Sequence, residues 1–474
     1  MKKTYFLAMA LIAGLTASCG SDDNDNKKKE SSDKAATVAV AIATNQTFGE
    51  GDEMYLCDAE DGSSRRAVSV LRYDAATATF KGNLSYFSKS DAVRAFVKRA
   101  GSANVRVDTA ACTITVDYRG QNGSRDDAQS RDFSYSRSTT AGQIADSRAP
   151  QIALYSVSAF ARIQKSAAEL NVSSYRLTST LNADSRKAAR DAAAYEYPNC
   201  FVAMGETSML TGAMTPRDYS SLTVTPATAD GAAYVAFYAQ TIEDPMVESR
   251  VTLASGVNII TTTKLAGATE SESNGTVKAD FTNGNTYTAD ITGTVEAGTF
   301  LCDPQFNAVA IVYDTNVNQG DFHTARAMAV SDAGSSVSWY SGAIIPSSAS
   351  KYVTANAYAD MNGYATTQYF QGDATYTAIN RAAGGGATIL RGCSSWYLPA
   401  AGEWAAFWNN LGGAVKINKL LRRAGAQPLT DTRYWTSSLS SLTEPIAIMN
   451  SGGSLATVPQ PLRSQNAVRA SILF

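Results

Sequence analysis

The amino-acid sequence predicts a mainly β protein, with two antiparallel β-sandwiches in tandem followed by an α+β domain. Short β-branched runs separated by Gly, Asn and Asp fill residues 37 to 294. This pattern is typical of antiparallel sandwiches and differs from that of βαβ units. All five tryptophans lie beyond residue 338, so the composition changes in the last third. A helical spacing of large apolar residues occurs in that last third.

Length and composition limit the possible functions. The 474 residues correspond to roughly three domains of about 150 residues each. Lys and Arg (41) nearly balance Asp and Glu (43), so no basic excess indicates a nucleic-acid partner. The single histidine, His323, argues against zinc sites built from His pairs and leaves one possible triad base. We therefore expect no catalytic site, no metal and no cofactor.

Residues 1–18 have the organisation of an export signal peptide. Lys2 and Lys3 precede a short apolar run and then small residues. The run is too short to cross a bilayer, which favours a signal peptide over a membrane helix. Small residues before Cys19 resemble a bacterial lipobox, in which Cys19 would become the lipidated first residue. An ordinary secretory signal with a chance cysteine is the alternative.

Residues 19–36 have the composition of a polar tether. Gly20 to Glu30 contains no apolar residue and cannot pack into a core. An acidic run just after the lipid cysteine resembles the surface-export signals of Bacteroidales lipoproteins, and a simple spacer is the alternative. We therefore expect a cell-surface protein anchored in the outer membrane by lipid on Cys19.

Five further cysteines are widely spaced and contain no CxxC pair, so we interpret them as small buried apolar residues and not as a metal site. Their odd number leaves at least one thiol outside a disulfide. They are Cys57, Cys112, Cys200, Cys302 and Cys393.

The first sandwich is predicted over residues 37–148, and the second over residues 149–294. Alternating or β-branched runs mark the strands. In the first sandwich these are Thr37–Thr44, Met54–Cys57, Ala67–Tyr73, Ala78–Gly82, Val93–Val97 and Cys112–Tyr118. The polar stretch Arg119–Arg131 is rich in Gly, Asp and Ser, which predicts an exposed loop.

Five blocks in residues 37 to 294 resemble fimbrillins, the lipoprotein pilus subunits of Bacteroidales, which are built from two transthyretin-like β-sandwiches. The blocks are Phe48–Tyr55, Asp132–Arg137, Ile152–Leu154, Ala159–Ile163 and Asn283–Ile291. The resemblance implies that subunits join when a strand of one chain is added to a groove on the next. It also implies that an Arg-specific protease first removes the N-terminal strand with its lipid. Arg65 and Arg66 are the nearest dibasic candidate for this cleavage, with a solvated turn as the alternative.

Residues 295–474, here called the C-terminal module, contain two sets of apolar residues at the i, i+3, i+4, i+7 spacing of a helix. Pro399 suits the start of the first helix, and Gly425 suits the end of the second. The first set is Trp404, Phe407, Trp408 and Leu411, and the second is Ile417, Leu420, Leu421 and Ala424. Buried strands are predicted at Ala308–Tyr313 and Ala325–Val330.

Two blocks of the C-terminal module, Trp396–Trp404 (WYLPxxGEW) and Tyr434–Ser438 (YWTSS), resemble the FISUMP domain, whose fold is similar to C-type lectins and formylglycine-generating enzymes. Calcium-dependent lectins carry Glu-Pro-Asn and Trp-Asn-Asp sets, whereas Ile446 follows Glu444–Pro445 here and Thr436 follows Trp435. A calcium–sugar site is therefore not expected. We also expect Trp404 and Trp408 to lie in the core and Glu403 to make an internal hydrogen bond.

Four aromatic residues are candidates for a binding loop: Tyr358, Tyr364, Tyr369 and Phe370. They lie in a Gly/Asn/Thr-rich stretch without clear periodicity. Exposed aromatic rings can stack on sugars or anchor a protein partner. Ordinary loop packing is the alternative. The segment Asp360–Gly363 also has a faint likeness to a cation-binding loop.

These features together predict a pilus subunit, either a tip protein or a minor adhesin. It would join other pilus subunits by β-strand donation and mediate adhesion through the C-terminal module to an unknown glycan or host protein. A folded last domain leaves little strand to donate onward, which favours the tip. The alternatives are a stand-alone surface lipoprotein that binds glycans or host proteins and, less favoured, a surface hydrolase that acts through carboxylates.

Overall fold

The computed structural model describes most of the chain after the predicted tether. The predicted signal peptide, Cys19, Arg65 and Arg66 lie outside the described residues. The described residues are 36–42, 47–58, 68–84, 91–146, 151–179, 182, 199–226, 232–273, 276–385, 390–429 and 431–474.

The described strands confirm a mainly β protein. In residues 36–148 they are β1 (Ala36–Ile42), β2 (Glu53–Asp58), β3 (Val68–Asp74), β4 (Thr79–Leu84), β5 (Ala92–Lys98), β6 (Val105–Asp108), β7 (Thr113–Asp117), β8 (Phe133–Ser136) and β9 (Thr139–Thr140). In residues 149–294 they are β10 (Gln151–Ile152), β11 (Leu154–Ser156), β12 (Ser158–Lys165), β13 (Asn171–Thr178), β14 (Met204–Ser208), β15 (Met214–Asp218), β16 (Leu222–Val224), β17 (Ala233–Tyr238), β18 (Thr241–Glu243), β19 (Met246–Thr252), β20 (Asn258–Thr263), β21 (Thr269–Ser273), β22 (Thr276–Asp280) and β23 (Thr286–Ile291). In the C-terminal module they are β24 (Phe300–Cys302), β25 (Ala308–Asp314), β26 (Arg326–Ala329), β27 (Gly334–Val337), β28 (Tyr434–Ser441), β29 (Glu444–Ser451), β30 (Ser454–Pro459), β31 (Asn466–Val468) and β32 (Ser471–Leu473).

Helices are short and concentrate in the C-terminal module. The α-helices are α1 (Arg125–Ser130), α2 (Ala141–Asp146), α3 (Gly363–Phe370), α4 (Thr377–Gly385), α5 (Ala401–Asn410) and α6 (Gly413–Arg423), and two 3-10 helices span Ser347–Tyr352 and Ala357–Ala359. Both helices predicted from apolar spacing are confirmed as α5 and α6. Among the helices of the described residues, none combines the length and apolar character needed to span a bilayer.

The six strands predicted in the first sandwich are confirmed within the described residues, but the predicted loop Arg119–Arg131 is wrong. Its second half is the helix α1, whose first turn is capped by Ser124 Oγ accepting from the Asp127 N–H at 3.1 Å. Arg131 is only 3% exposed, because its guanidinium donates to the Asp117 and Arg119 carbonyls at 2.7 and 2.5 Å. A buried arginine that satisfies turn carbonyls is invisible in a composition pattern.

Sheets connect the two predicted sandwiches. The first large sheet has the order β10-β1-β4-β3-β2-β5-β8-β11, with β9 paired to β5. A second sheet, β15-β14-β7-β6, joins strands from both regions, with Gly205 opposite Val116. A large apolar cluster that includes Phe96, Phe133, Phe201 and Phe237 lies across the same boundary. The two predicted sandwiches therefore share a core as well as a sheet.

One eight-stranded sheet crosses from residues 149–294 into the C-terminal module, in the order β16-β13-β19-β20-β24-β25-β26-β32. The crossing is antiparallel, with Ile259 opposite Leu301. Leu301 and Val312 face one apolar cluster, while Phe300 and Ile311 face another. A strand buried on both faces reads as a continuous apolar run, which explains the sequence of β25. The proposed boundaries near 148 and 294 therefore do not separate the sheets.

Three smaller sheets complete the described part of the fold. Within the described residues, β17-β12-β23 and β18-β22-β21 lie in the middle region, and β27-β31-β28-β29-β30 lies in the C-terminal module. Trp404 and Trp408 are buried beneath this last sheet at 1% and 7% exposure, as expected. Four of the five cysteines (Cys57, Cys112, Cys200 and Cys302) are also buried, which confirms their interpretation as apolar residues.

Candidate functional site

The first described strand, β1, lies between two other strands of the first large sheet. It pairs antiparallel with β4 over five residues, from Ala36 opposite Leu84 to Val40 opposite Phe80. Its last two residues pair parallel with β10. β1 therefore connects β10 to β4, and without it these two strands would lose their shared partner.

The side chains of β1 alternate between the core and the surface. Val38 and Val40 are 5% and 0% exposed, while Ala39 between them is exposed. The two valines belong to an apolar cluster on one face of the sheet. Its other buried members are Met54, Leu56, Leu71, Phe80, Leu84, Val93, Ala95, Val97, Ala141, Ile144, Ile152 and Leu154. β1 thus supplies both backbone pairing and core packing.

The predicted cleavage site, Arg65–Arg66, belongs to the segment between β2 and β3 and lies outside the described residues. β2 is a central strand, paired with β3 on one side and with β5 on the other. The sequence between β1 and β2, residues 43–52, contains no Lys or Arg. Cleavage at Arg65 or Arg66 would consequently leave β1 and β2 on the same fragment, both still paired to the sheet.

The four predicted aromatic residues do not form one surface. Tyr358 and Tyr369 are each 46% exposed, but they have different neighbours. Tyr358 donates from its hydroxyl to the Leu455 carbonyl at 3.1 Å, whereas Tyr369 lies at the end of α3. Tyr364 packs edge-on against Tyr397, with ring centroids 5.6 Å apart.

The predicted exposure of Phe370 is wrong, because this residue is 3% exposed. The segment is not a loop at this point: Gly363–Phe370 is the helix α3. The Phe370 ring stacks on Tyr376 with centroids 4.3 Å apart, and both rings belong to the module's core. Tyr369 is exposed, and the Lys351 ammonium lies 4.1 Å from its ring centroid.

Glu403 of the WYLPxxGEW block is fully buried and makes internal hydrogen bonds, as predicted. Its Oε2 accepts from the Ala400 N–H at 2.8 Å, and its Oε1 accepts from the Tyr397 hydroxyl at 3.2 Å. Burial raises the pKa of Glu403 to about 8, and the Arg326 guanidinium, 3.3 Å away, acts in the opposite direction. The carboxyl group therefore holds the start of α5 and does not face solvent.

Gly402 explains why this block needs a residue without a side chain. A Cβ atom at this position would lie 2.5 Å from the Asp360 carbonyl oxygen and 2.7 Å from that of Tyr358. The Gly402 N–H donates to the Asp360 carbonyl at 3.0 Å. The start of α5 is thereby pressed against the chain at 358–360, and the block positions this segment on the module surface.

A polar crevice beside this segment was missed by sequence reasoning. Its cavity volume is about 270 Å³. It is lined by Lys351, Tyr352, Val353, Thr354, Asn356, Ala359, Asp360, Asn362 and Thr366. The density of Asn, Asp and Thr between residues 354 and 366 was the available signal, but polar residues of this kind are also the usual content of turns.

The structure is similar to solved fimbrial proteins. A fimbrial protein from Bacteroides ovatus is 11% identical, with a TM-score of 0.30, and the match covers 93% of this chain and 100% of that chain. The tip fimbrial protein Mfa3 from Porphyromonas gingivalis is 9% identical, with a TM-score of 0.32 and 56% and 97% coverage. No family model and no curated protein matches the sequence. Because these TM-scores and identities are low, the likeness alone does not assign a function.

Proposed function

We propose that this chain is a subunit of a cell-surface pilus that acts in adhesion, at the tip or as a minor component. The observation that carries this proposal is the position of β1. This strand is N-terminal and pairs with a short stretch of β4, and its two buried valines cover an apolar core. Such a strand can be replaced by an equivalent strand from another chain, because main-chain hydrogen bonds supply much of the pairing energy.

Release of β1 would expose both kinds of surface that an incoming strand needs. The main-chain groups of β4 between Phe80 and Leu84 would lose their partners. The apolar cluster would lose Val38 and Val40, and this loss would uncover a strip on the two flanking strands that includes Phe80 and Ile152. A donor strand with alternating apolar residues would fill this strip and restore the ladder.

Cleavage at the predicted site would affect β2 as well as β1. Cleavage at Arg65 or Arg66 would free residues up to 66 as one segment, including β2. Since β2 places Met54 and Leu56 in the same apolar cluster, the segment would be held by two strands and not by one. Exchange by this route therefore requires replacement or retention of β2 as well.

The tip position is supported by the pairing of β32, which is not available for donation to another subunit. β32 pairs with β26, and Ser471 also forms a bridge with Tyr397. Phe474 is 4% exposed, and its carbonyl accepts from Thr324 and Ala325 N–H groups at 2.9 Å. Residues 471–474 are thus integral to the C-terminal module and are not a free strand to donate.

Attachment before assembly is proposed to use the lipid on Cys19, followed by the polar tether of residues 19–36. The C-terminal module would then be displayed away from the outer membrane. A hydrolase based on Glu403 is not supported, because both carboxyl oxygens are occupied by protein donors and the side chain is fully buried.

The proposal is tested by locating the chain on cells and by reading its N-terminus. Immunogold labelling with an antibody to residues 300–474 should mark pilus tips. When pili are isolated in mild detergent, the chain should remain attached to the polymer. Labelling along whole shafts would contradict the tip position. Labelling confined to the cell body, with no pilus marked, would contradict the pilus itself.

A stand-alone surface lipoprotein is the second candidate, and one observation favours it. No Lys or Arg separates β1 from β2, so a basic-residue protease has no site from which to release β1 alone. Mass spectrometry of the N-terminus separates the two candidates. A retained lipidated Cys19 in all surface material supports the stand-alone lipoprotein, whereas a new N-terminus after Arg65 or Arg66 supports assembly by cleavage.

A further inference from the structure

Two exposed asparagines, Asn356 and Asn362, line the crevice between the first 3-10 helix and α3. Asn356 precedes the 3-10 helix Ala357–Ala359, and Asn362 precedes α3. Asparagine at such a position normally caps the helix through its side-chain oxygen. Neither side chain makes a capping hydrogen bond here. Both residues line the crevice, so their side-chain amides are available to a ligand.

The backbone around these amides is fixed by contacts to the module core. The Thr354 N–H donates to the Leu439 carbonyl of β28 at 2.9 Å. The Asp360 carboxylate accepts from Ser438 Oγ at 2.6 Å and from the Asn362 N–H at 3.0 Å. A site whose walls are held in this way before the ligand arrives loses little conformational entropy on binding.

An aromatic wall adjoins the polar groups. Tyr352 lines the crevice, and its ring packs against Tyr369 and Phe370 with centroids 5.1 and 5.2 Å apart. Lys351 also lines the crevice, and its ammonium lies 5.0 Å from the Tyr352 ring centroid. The lining of the crevice therefore includes one tyrosine, two asparagines, two threonines, one lysine and one aspartate.

We propose that this crevice binds a single sugar ring of a glycan, without a metal ion. The proposal rests on the adhesive function proposed above and names the class of its ligand. A sugar ring presents neighbouring hydroxyls that both donate and accept hydrogen bonds, and an amide offers a donor and an acceptor together. The apolar C–H face of a sugar suits an aromatic wall. A cavity of about 270 Å³ lies just below the roughly 300–1,000 Å³ of pockets for drug-sized ligands, so it fits one ring better than a larger ligand.

The proposal without a metal follows from the charges that line the crevice. Asp360 is the only carboxylate among the lining residues, and its two oxygens accept hydrogen bonds from Asn362 and Ser438. Calcium takes about six to eight oxygen ligands and usually several carboxylates, which this lining does not supply. The likeness of Asp360–Gly363 to a cation loop is thus explained by its turn geometry.

The test uses the full chain on a glycan array, followed by titration with free glucose, galactose, mannose and N-acetylglucosamine. Wild-type protein should bind a defined set of glycans, and one of these sugars should compete at millimolar concentration. Asn356→Ala and Asn362→Ala should each weaken binding at least tenfold. Their melting temperatures should be unchanged, because neither side chain caps its helix. Asn316→Ala, at an exposed position of the same module outside the crevice, should bind as the wild type does.

Three outcomes would overturn the inference. Folded wild-type protein that retains no glycan would do so, as would binding that both crevice variants leave intact, or binding that EDTA abolishes. The failure of this inference is distinguishable from that of the proposed function. Tip labelling on pili with no retained glycan would reject only the sugar site, whereas retained glycan without any pilus labelling would reject only the pilus.

Discussion

Arg423 in α6 donates a hydrogen bond from its Nη2 to Oε1 of Glu248 in β19 at 2.9 Å, across 175 residues of sequence. Both side chains are buried, at 8% and 3% exposure. Glu248 also accepts from Arg176 Nε at 2.7 Å. Together with the shared eight-stranded sheet, this pair fixes the C-terminal module to the preceding β region, so that force on one is transmitted to the other without a flexible linker.

Arg423→Met should destabilise the protein by about 3 kcal/mol, because removal of one partner leaves a buried charge with less compensation. The measurement is the urea midpoint of unfolding, with fluorescence of the five tryptophans reporting on the module. Arg422→Met is the matched control: this neighbour is exposed and should change stability by less than about 0.5 kcal/mol. Equal effects of the two variants would show that the pair carries no stabilisation.

Gly402→Ala should destabilise the C-terminal module by about 1 to 3 kcal/mol, as overpacking does in other cores. The added Cβ would meet the backbone oxygens of Asp360 and Tyr358, which are held in place and cannot move as a side chain can. Destabilisation would be informative, because replacement of Gly by Ala normally stabilises a helix by about 1 kcal/mol. Thermal unfolding monitored by circular dichroism gives the measurement.

Gly384→Ala in α4 is the control for that prediction. A Cβ atom at Gly384 would have nothing within 4 Å. This variant should therefore be neutral or stabilised by up to about 1 kcal/mol. A stabilised Gly402→Ala would mean that the chain at 358–360 is not pressed against α5.

The sequence predicted the elements whose signal is local. Trp404 and Phe407 lie three residues apart on an apolar face, and this spacing located α5. The register between β20 and β24 was not predictable, because Ile259 and Leu301 are paired by long-range packing and no local pattern records it. The helix α1 was missed because it has only one buried residue, Ala128, and so shows no apolar periodicity.

The candidate binding residues were predicted less well than the fold, again for a physical reason. The sequence pattern makes the same prediction of exposure for Phe370 and Tyr369, although Phe370 faces the core and Tyr369 faces solvent. Their difference depends on the rotation of α3, which Tyr376 determines by stacking on Phe370. Asn356 and Asn362 have the composition of ordinary turn residues. Only the structure shows that their side chains do not cap.

Asp132 should make stability depend on pH between about 4 and 6. It accepts hydrogen bonds from Ser156 Oγ at 2.8 Å and from the Ser158 N–H at 3.0 Å, where the chain passes from β11 to β12. Burial raises the pKa of Asp132 from 3.8 to about 6 despite these bonds. The folded state therefore binds the proton more tightly than the unfolded state, and stability falls as pH rises through this range.

The loss of stability should be about 1 to 2 kcal/mol, less than the full pKa shift implies, because Asp132 lines a pocket open to water that is separate from the crevice described above. Asp132→Asn should remove this part of the pH dependence in urea titrations at pH 4, 5, 6 and 7. Asp126→Asn, at an exposed position of the same pocket, should retain the pH dependence. A slope that persists in Asp132→Asn would assign the effect to another group.

Val40→Asp should detach β1 without unfolding the C-terminal module. Val40 is fully buried opposite Phe80, and a carboxylate there would cost several kcal/mol of desolvation. Ala39→Asp, one residue earlier and exposed, is the matched control and should leave pairing intact. Hydrogen–deuterium exchange provides the measurement: in Val40→Asp, amides of β4 should exchange faster, while those of β25 should keep wild-type protection. Faster exchange in both strands would mean that β1 separates only when the whole molecule unfolds, and strand exchange at this position would then be excluded.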